Sequence, residues 1–172
     1  MLKRPLENEY PSYYNNYLKL VPSGNLLEIL EEQLTEAVTL FSGLSEEQGS
    51  IAYASGKWTV KEVIGHMIDT ERIMSYRLLR ISRGDKSPLA GFSEEDYAFE
   101  GKFTQRLLTE LVEELQTVRK STISLLRGIP EYAWPRSGTA NELPVTAQAV
   151  AFIIAGHWIH HMRIIEERYL QN

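Results

Sequence analysis

Residues 58–72 read Trp58-Thr59-Val60-Lys61-Glu62-Val63-Ile64-Gly65-His66-Met67-Ile68-Asp69-Thr70-Glu71-Arg72. Thr59 followed three residues later by Glu62 is a capping box, in which the hydroxyl accepts from the backbone of the first helical turn and the carboxylate returns the bond. Behind it, Val63, Ile64, Met67 and Ile68 recur at spacings of three and four, the period of a helix with one buried face. The stripe continues through Met74 and Ile81, so this helix is expected to run to about Gly84.

The same period extends outward in both directions. After Pro22-Ser23-Gly24, the residues Leu26, Leu27, Leu30, Leu34, Ala37, Val38 and Phe41 form a stripe that stops near Gly43. A third helix opens after Thr104, carries Leu107, Leu108, Leu111, Val112, Leu115, Val118, Leu125 and Leu126, and ends at Gly128 and Pro130. A fourth follows Pro144, is capped by Thr146, and continues through Val150, Ile154 and Ile164 to about Leu170. Four helices of similar length and no strands predict an all-α four-helix bundle, one domain over residues 1–172. Residues 85–103 and the stretch Gly128 to Pro144 are longer than the connections of a plain up-down bundle, so long crossovers are expected. The run Glu94, Glu95, Asp96 reads as a solvated loop, with a lid over a site as the second reading. Tyr10, Tyr13, Tyr14 and Tyr17 make residues 1–22 too aromatic for a loose tail, and they are expected to pack on the bundle.

Composition narrows the chemistry. With 18 Lys+Arg against 23 Asp+Glu the net charge is −5 over 172 residues, and the basic residues are scattered, which argues against nucleic acid as a partner. No apolar run approaches the ~18 residues of a membrane helix, and the polar, acidic start lacks a targeting pattern; a soluble cytoplasmic protein is expected. Cysteine is absent, which excludes thiolate metal sites and a cysteine nucleophile of the protein's own. Histidine occurs four times, at His66, His157, His160 and His161.

Each helical residue advances about 100°, so His157 and His161, four apart, share a face about 40° wide. The stripe of Val150, Ile154, Trp158, Ile164 and Ile165 centres on that face, whereas His160 lies at its edge. His66 sits at the margin of its own stripe, with Glu62 and Asp69 beside it on the polar side. A pair of histidines four apart is a weak signal alone. It gains weight because both rings point into an apolar seam, where an unpartnered imidazole is costly. Three imidazoles from two helices can fill one face of a metal ion and leave positions for water or substrate. Trp158 and Ile159 follow His157, so the glutamate base of a zincin is missing.

The Trp58 to Arg72 stretch, together with Gly156-His157-Trp158-Ile159-His160-His161, resembles the DinB/YfiT-like superfamily of metalloenzymes. The tyrosine-rich entry, the Arg83-Gly84-Asp85 turn, the crossover from Gly91-Phe92 to Tyr97 and the Gly138-Thr139-Ala140-Asn141 loop fit the same family. The resemblance implies up-down-down-up topology, a homodimer, and a divalent metal (zinc or nickel, sometimes iron or manganese) on His66, His157 and His161. It also implies a small-molecule substrate, since relatives include bacillithiol- and mycothiol-dependent S-transferases, a thiol-dependent isomerase and metal-dependent hydrolases. A low-molecular-weight thiol is then a candidate co-substrate, and any sulfur in the reaction must arrive with it. Glu62 and Asp69 are candidate catalytic or histidine-orienting carboxylates, although capping explains Glu62 equally well. His160 and Arg77 are candidate substrate contacts, with solvent exposure and an ordinary salt bridge as their plainer roles. Trp58 and Trp158 read as core residues. A non-catalytic stress-response or small-molecule-binding bundle is the alternative reading.

Overall fold

In the computed structural model, residues 2–170 are described. In chain order the elements are α1 (Asn15–Leu20), α2 (Leu26–Ser42), α3 (Glu46–Gly49), α4 (Val60–Ser82), α5 (Glu94–Gly101), α6 (Leu108–Arg127), the strands β1 (Ser137–Ala140) and β2 (Leu143–Thr146), and α7 (Ala147–Ile164). The capping box closes as the sequence requires: Thr59 Oγ1 accepts from Glu62 N at 3.2 Å, and Glu62 Oε2 accepts from Thr59 N at 2.7 Å. Thr146 caps α7 in the same way, its Oγ1 accepting from Ala149 N at 3.1 Å. A π-helical turn, Ile165–Tyr169, extends α7 to the end expected from the sequence.

Helix direction follows from which ends share a core. One apolar cluster joins the starts of α2 (Leu26, Leu30) and α7 (Val150) to the ends of α4 (Leu78, Ile81) and α6 (Leu126). The other joins the ends of α2 (Phe41) and α7 (Met162) to the starts of α4 (Val63, Ile64) and α6 (Leu111). α2 and α7 therefore run one way and α4 and α6 the other, giving a four-helix bundle with up-down-down-up topology. Because α4 and α6 are successive yet parallel, the chain between them must travel back along a helix about 35 Å long at ~1.5 Å per residue. That return is the physical reason for the long crossover.

Two sequence expectations are corrected along these connections. The acidic run is not a loop: Glu94, Glu95 and Asp96 form the first turn of α5, where Ser93 Oγ accepts from Asp96 N at 3.3 Å and negative charge complements the helix dipole. The expectation of no strands also fails, because β1 and β2 pair as an antiparallel hairpin with Ala140 opposite Leu143 and Gly138 opposite Val145. Its two-residue turn holds Asn141 and Glu142 at φ 48° and 64°, the paired left-handed residues that match strand twist. The crossover is tied to this hairpin, with Leu89 N donating to Thr139 O and Asn141 N to Leu89 O, both at 2.9 Å. Among the described residues no helix is long and apolar enough to cross a membrane.

A buried polar network links all four long helices. Arg119 on α6 pairs with Glu71 on α4 at 2.8 Å and donates from Nη1 to Gln33 Oε1 on α2 at 2.9 Å. Gln33 Nε2 in turn donates to Ala155 O on α7 at 3.1 Å, and the guanidinium lies 3.8 Å from the centroid of the Trp158 ring. Arg119 is wholly inaccessible to solvent. Arg119→Ala leaves a buried carboxylate without its counter-charge and is expected to destabilise the fold by about 3–5 kcal/mol, whereas Glu71→Met with Arg119→Met costs much less. Chemical denaturation of the two variants checks the contrast.

Candidate metal centre

His66 projects from α4, and His157 and His161 from α7, into the seam between these antiparallel neighbours. His66 Nε2 lies 3.0 Å from His157 Nε2 and 3.1 Å from His161 Nε2, and all three side chains are buried. The three form a group with one nitrogen each within 4.8 Å of the others. Neutral imidazole has one in-plane lone pair or one N–H at each nitrogen, so a shared proton satisfies a pair of rings but not three nitrogens facing one another. A cation satisfies all three. At the ~2.0–2.1 Å typical of metal–imidazole bonds, ligand nitrogens on one face of an ion stand about 3.0–3.4 Å apart, and both distances from His66 Nε2 fit that spacing.

The electrostatics suit metal ligation. Burial, with a contribution from His160, lowers the His66 pKa to about 4. Burial and the neighbouring His66 and His160 lower that of His161 to about 2, and His157 is pushed well below its ordinary value by burial and then by His161. The rings are thus neutral near pH 7, so a metal ion need displace no proton from them.

Neighbouring residues fix and cover the triad. Thr70 Oγ1 stands 3.5 Å from His66 Nδ1, one turn along α4. The Trp58 ring centroid lies 4.9 Å from that of His66, so this tryptophan belongs to the site wall, whereas Trp158 is core. Tyr17 on α1 packs edge-on against His157 at 5.5 Å and His160 at 5.1 Å. This approach depends on Gly156: a Cβ there would fall 2.2 Å from Tyr17 O. The tyrosine-rich entry accordingly reaches the site itself, which helical periodicity did not reveal.

The remaining sequence candidates are placed as follows. Glu62 is committed to the α4 cap, and Thr59 Oγ1 also donates to its Oε2 at 2.9 Å. Asp69 lies 3.6 Å from Arg72, which also pairs with Glu114 on α6 at 2.6 Å. Thr70, rather than either carboxylate, is the residue beside His66 Nδ1. Half-buried His160 stands between Tyr17 and His161 and is outside the converging group. Arg77 is buried on the same helix as His66.

Two cavities reach the triad. One of about 200 Å³ opens at His157 and is walled by Tyr14, Thr70, Arg77, Phe92 and Glu94. The other, about 240 Å³, opens at His161 and is walled by Tyr53, Lys57, Trp58, Glu95 and Tyr169. Consecutive residues Glu94 and Glu95 line one cavity each, so the first turn of α5 stands between the two mouths. Burial raises the pKa values of Tyr14 and Tyr17, whose phenols remain protonated near neutrality.

Comparisons with known proteins agree with this architecture. The family profile described as the DinB superfamily matches residues 29–165. Among solved structures, YfiT from Bacillus subtilis, described as "a probable metal-dependent hydrolase with an unusual four-helix bundle topology", is similar with a TM-score of 0.71 at 18% identity, covering 96% of this chain and 90% of that one. The mycothiol-dependent maleylpyruvate isomerase is similar with a TM-score of 0.67 at 15% identity over 84% of this chain. This chain spans 61% of the isomerase's length. At these identities the likeness is one of fold. No curated protein matches the sequence.

The depressed histidine pKa values contribute to the acid response of the metal-free protein. An unfolded histidine titrates near 6.5, so below that pH the unfolded chain binds protons that His66 in the fold refuses until about 4. The stability contributed by the neutral ring is therefore present above pH ~6.5 and lost as pH falls toward 4. Melting temperatures measured from pH 7 to 4 are expected to fall over this window, and His66→Gln is expected to flatten the decline.

Proposed function

The chain belongs to the DinB superfamily, and from that premise we propose that it is a metal-dependent enzyme acting on small molecules at the His66, His157 and His161 triad. The observation that carries this reading is the convergence of three buried Nε2 atoms that a divalent ion can satisfy together. Neutral imidazole donors suit zinc or nickel, with iron or manganese next. A divalent ion held there would supply Lewis acidity, lowering the pKa of a water or substrate thiol at its open positions so that a nucleophile forms near neutral pH.

The chain's own residues do the rest. The triad binds the ion, Thr70 restrains the His66 ring, and Tyr17 and Trp58 shield the site from bulk water. The protonated phenols of Tyr14 and Tyr17 offer hydrogen-bond donors to a substrate in the His157 cavity. Glu62 is committed to the helix cap and Asp69 faces Arg72, which leaves neither of these two carboxylates as a base at the triad, while Glu94 and Glu95 line the cavities and not the triad itself. This favours a nucleophile whose own proton is acidic, and so transfer of a low-molecular-weight thiol over hydrolysis. Two cavities at one triad also suit a reaction that joins two substrates. With no cysteine in the chain, the thiol is a co-substrate. A homodimer is part of the same reading.

Purified protein is expected to hold about one divalent ion per chain, in line with a three-histidine site with open positions. With cysteine as thiol and 1-chloro-2,4-dinitrobenzene as electrophile, conjugation above background should vanish on chelation and return with zinc or nickel. His161→Ala should lose both ion and turnover, whereas His160→Ala keeps the ion. A protein that takes up none of zinc, nickel or manganese contradicts the proposal. Turnover of p-nitrophenyl acetate without thiol conjugation assigns hydrolysis instead.

A further inference from the structure

Arg77 is a buried cation with no ion-pair partner among the described residues. Its side chain is 4% exposed, yet among the described residues no carboxylate lies within ion-pair distance. Nη2 donates to Ala90 O at 2.7 Å, Nη1 lies 3.6 Å from Met74 Sδ, and the guanidinium stands 5.9 Å from the Phe92 ring centroid. The contrast within this chain is Arg119, also buried, which has Glu71 at 2.8 Å. Desolvating a guanidinium is expensive, and a carbonyl and a thioether do not neutralise it. Arg77 lines the cavity that also contains His157, so the uncompensated charge faces space within reach of the triad.

We propose that the His157 cavity is a subsite for a small organic monocarboxylate, with Arg77 as the group that recognises its anionic end. This assignment rests on the reading of the triad as a reactive centre only in taking the bound acid to be a substrate. A carboxylate matches the planar guanidinium fork and supplies the missing charge. The single available cation and the presence of Glu94 in the same wall select a monoanion over a doubly charged phosphate. Phe92 and the tyrosine rings provide apolar surface for the body of the molecule, and a space of about 200 Å³ admits one of benzoate's size. A substrate so anchored would extend from Arg77 toward the nitrogens of the triad.

The test is equilibrium binding of benzoate, benzamide and inorganic phosphate by calorimetry, before and after chelation, with metal content measured on each sample. Benzoate is expected to bind at least about tenfold more tightly than benzamide in both states, and more tightly than phosphate. Arg77→Gln should abolish the benzoate preference, and Arg77→Lys should restore part of it. A purely structural Arg77, tying the crossover through Ala90 O, would change the melting temperature and leave the benzoate-to-benzamide ratio untouched. No preference in the wild type, a preference unchanged in Arg77→Gln, tighter phosphate binding, or a preference that disappears on chelation would each overturn the subsite. The wild-type ratio decides the matter even if Arg77→Gln does not fold. A retained preference in protein that takes up no metal sinks the enzymatic reading and leaves the subsite standing; a metal-loaded protein without the preference does the reverse.

Discussion

Three imidazole nitrogens facing one another inside an apolar seam are the constraint around which the rest of this molecule is arranged. Buried polar atoms must be partnered, and three nitrogens aimed at one point cannot all be satisfied by protons. Their geometry requires α4 and α7 to be neighbours, with His66 level with the gap between His157 and His161. Antiparallel packing of these helices supplies that level, and the four-residue spacing on α7 turns both of its rings the same way. Gly156 then lets the backbone of α1 close over the rings, where Tyr17 completes the wall.

The topology that delivers this arrangement also shapes what can reach it. Parallel α4 and α6 oblige the chain to cross the length of the bundle, and that crossing carries α5 to the mouth of the site. Its first two residues, Glu94 and Glu95, look into separate cavities. The hairpin pins the crossover through Leu89, holding the segment that presents Phe92 and the carbonyl of Ala90 to Arg77. Away from the cavities, Glu71, Arg119 and Gln33 fix the mutual register of the four helices with directional bonds that an apolar core would not supply. The site and its access paths thus depend on segments that periodicity alone would class as connections.

Much of this was legible in the sequence. The capping box at Thr59, the apolar stripes and the glycine stops gave the four helices nearly to their ends, because local hydrogen bonding and burial on one face act within a few residues. The pairing of His157 and His161 was legible for the same reason, since they share a face fixed by helical geometry, whereas the place of His66 beside them followed from the family resemblance. The hairpin was not, since its strands have four residues each, one of them Pro144, and its turn is Asn141-Glu142 instead of a glycine-containing pair. α5 escaped notice because only Ala98 is buried, so no stripe marks it. Thr70 as the neighbour of His66, in place of Asp69, was hidden by a rotation of one residue along the helix. Arg119 could have been found, because it continues the core spacing of Leu111 and Leu115 toward Ile123 with a charge where an aliphatic residue is expected.

The proposed function requires one ion held jointly by three histidines from two helices. X-ray absorption spectroscopy at the edge of zinc or nickel bound by the protein counts imidazole ligands directly, through the multiple scattering of their rings. The expected first shell is of nitrogen and oxygen and includes three imidazoles, with no bound ion left to give a spectrum in His161→Ala. A spectrum of the wild type that requires one imidazole or none, with the ion bound by carboxylates or water, would contradict it.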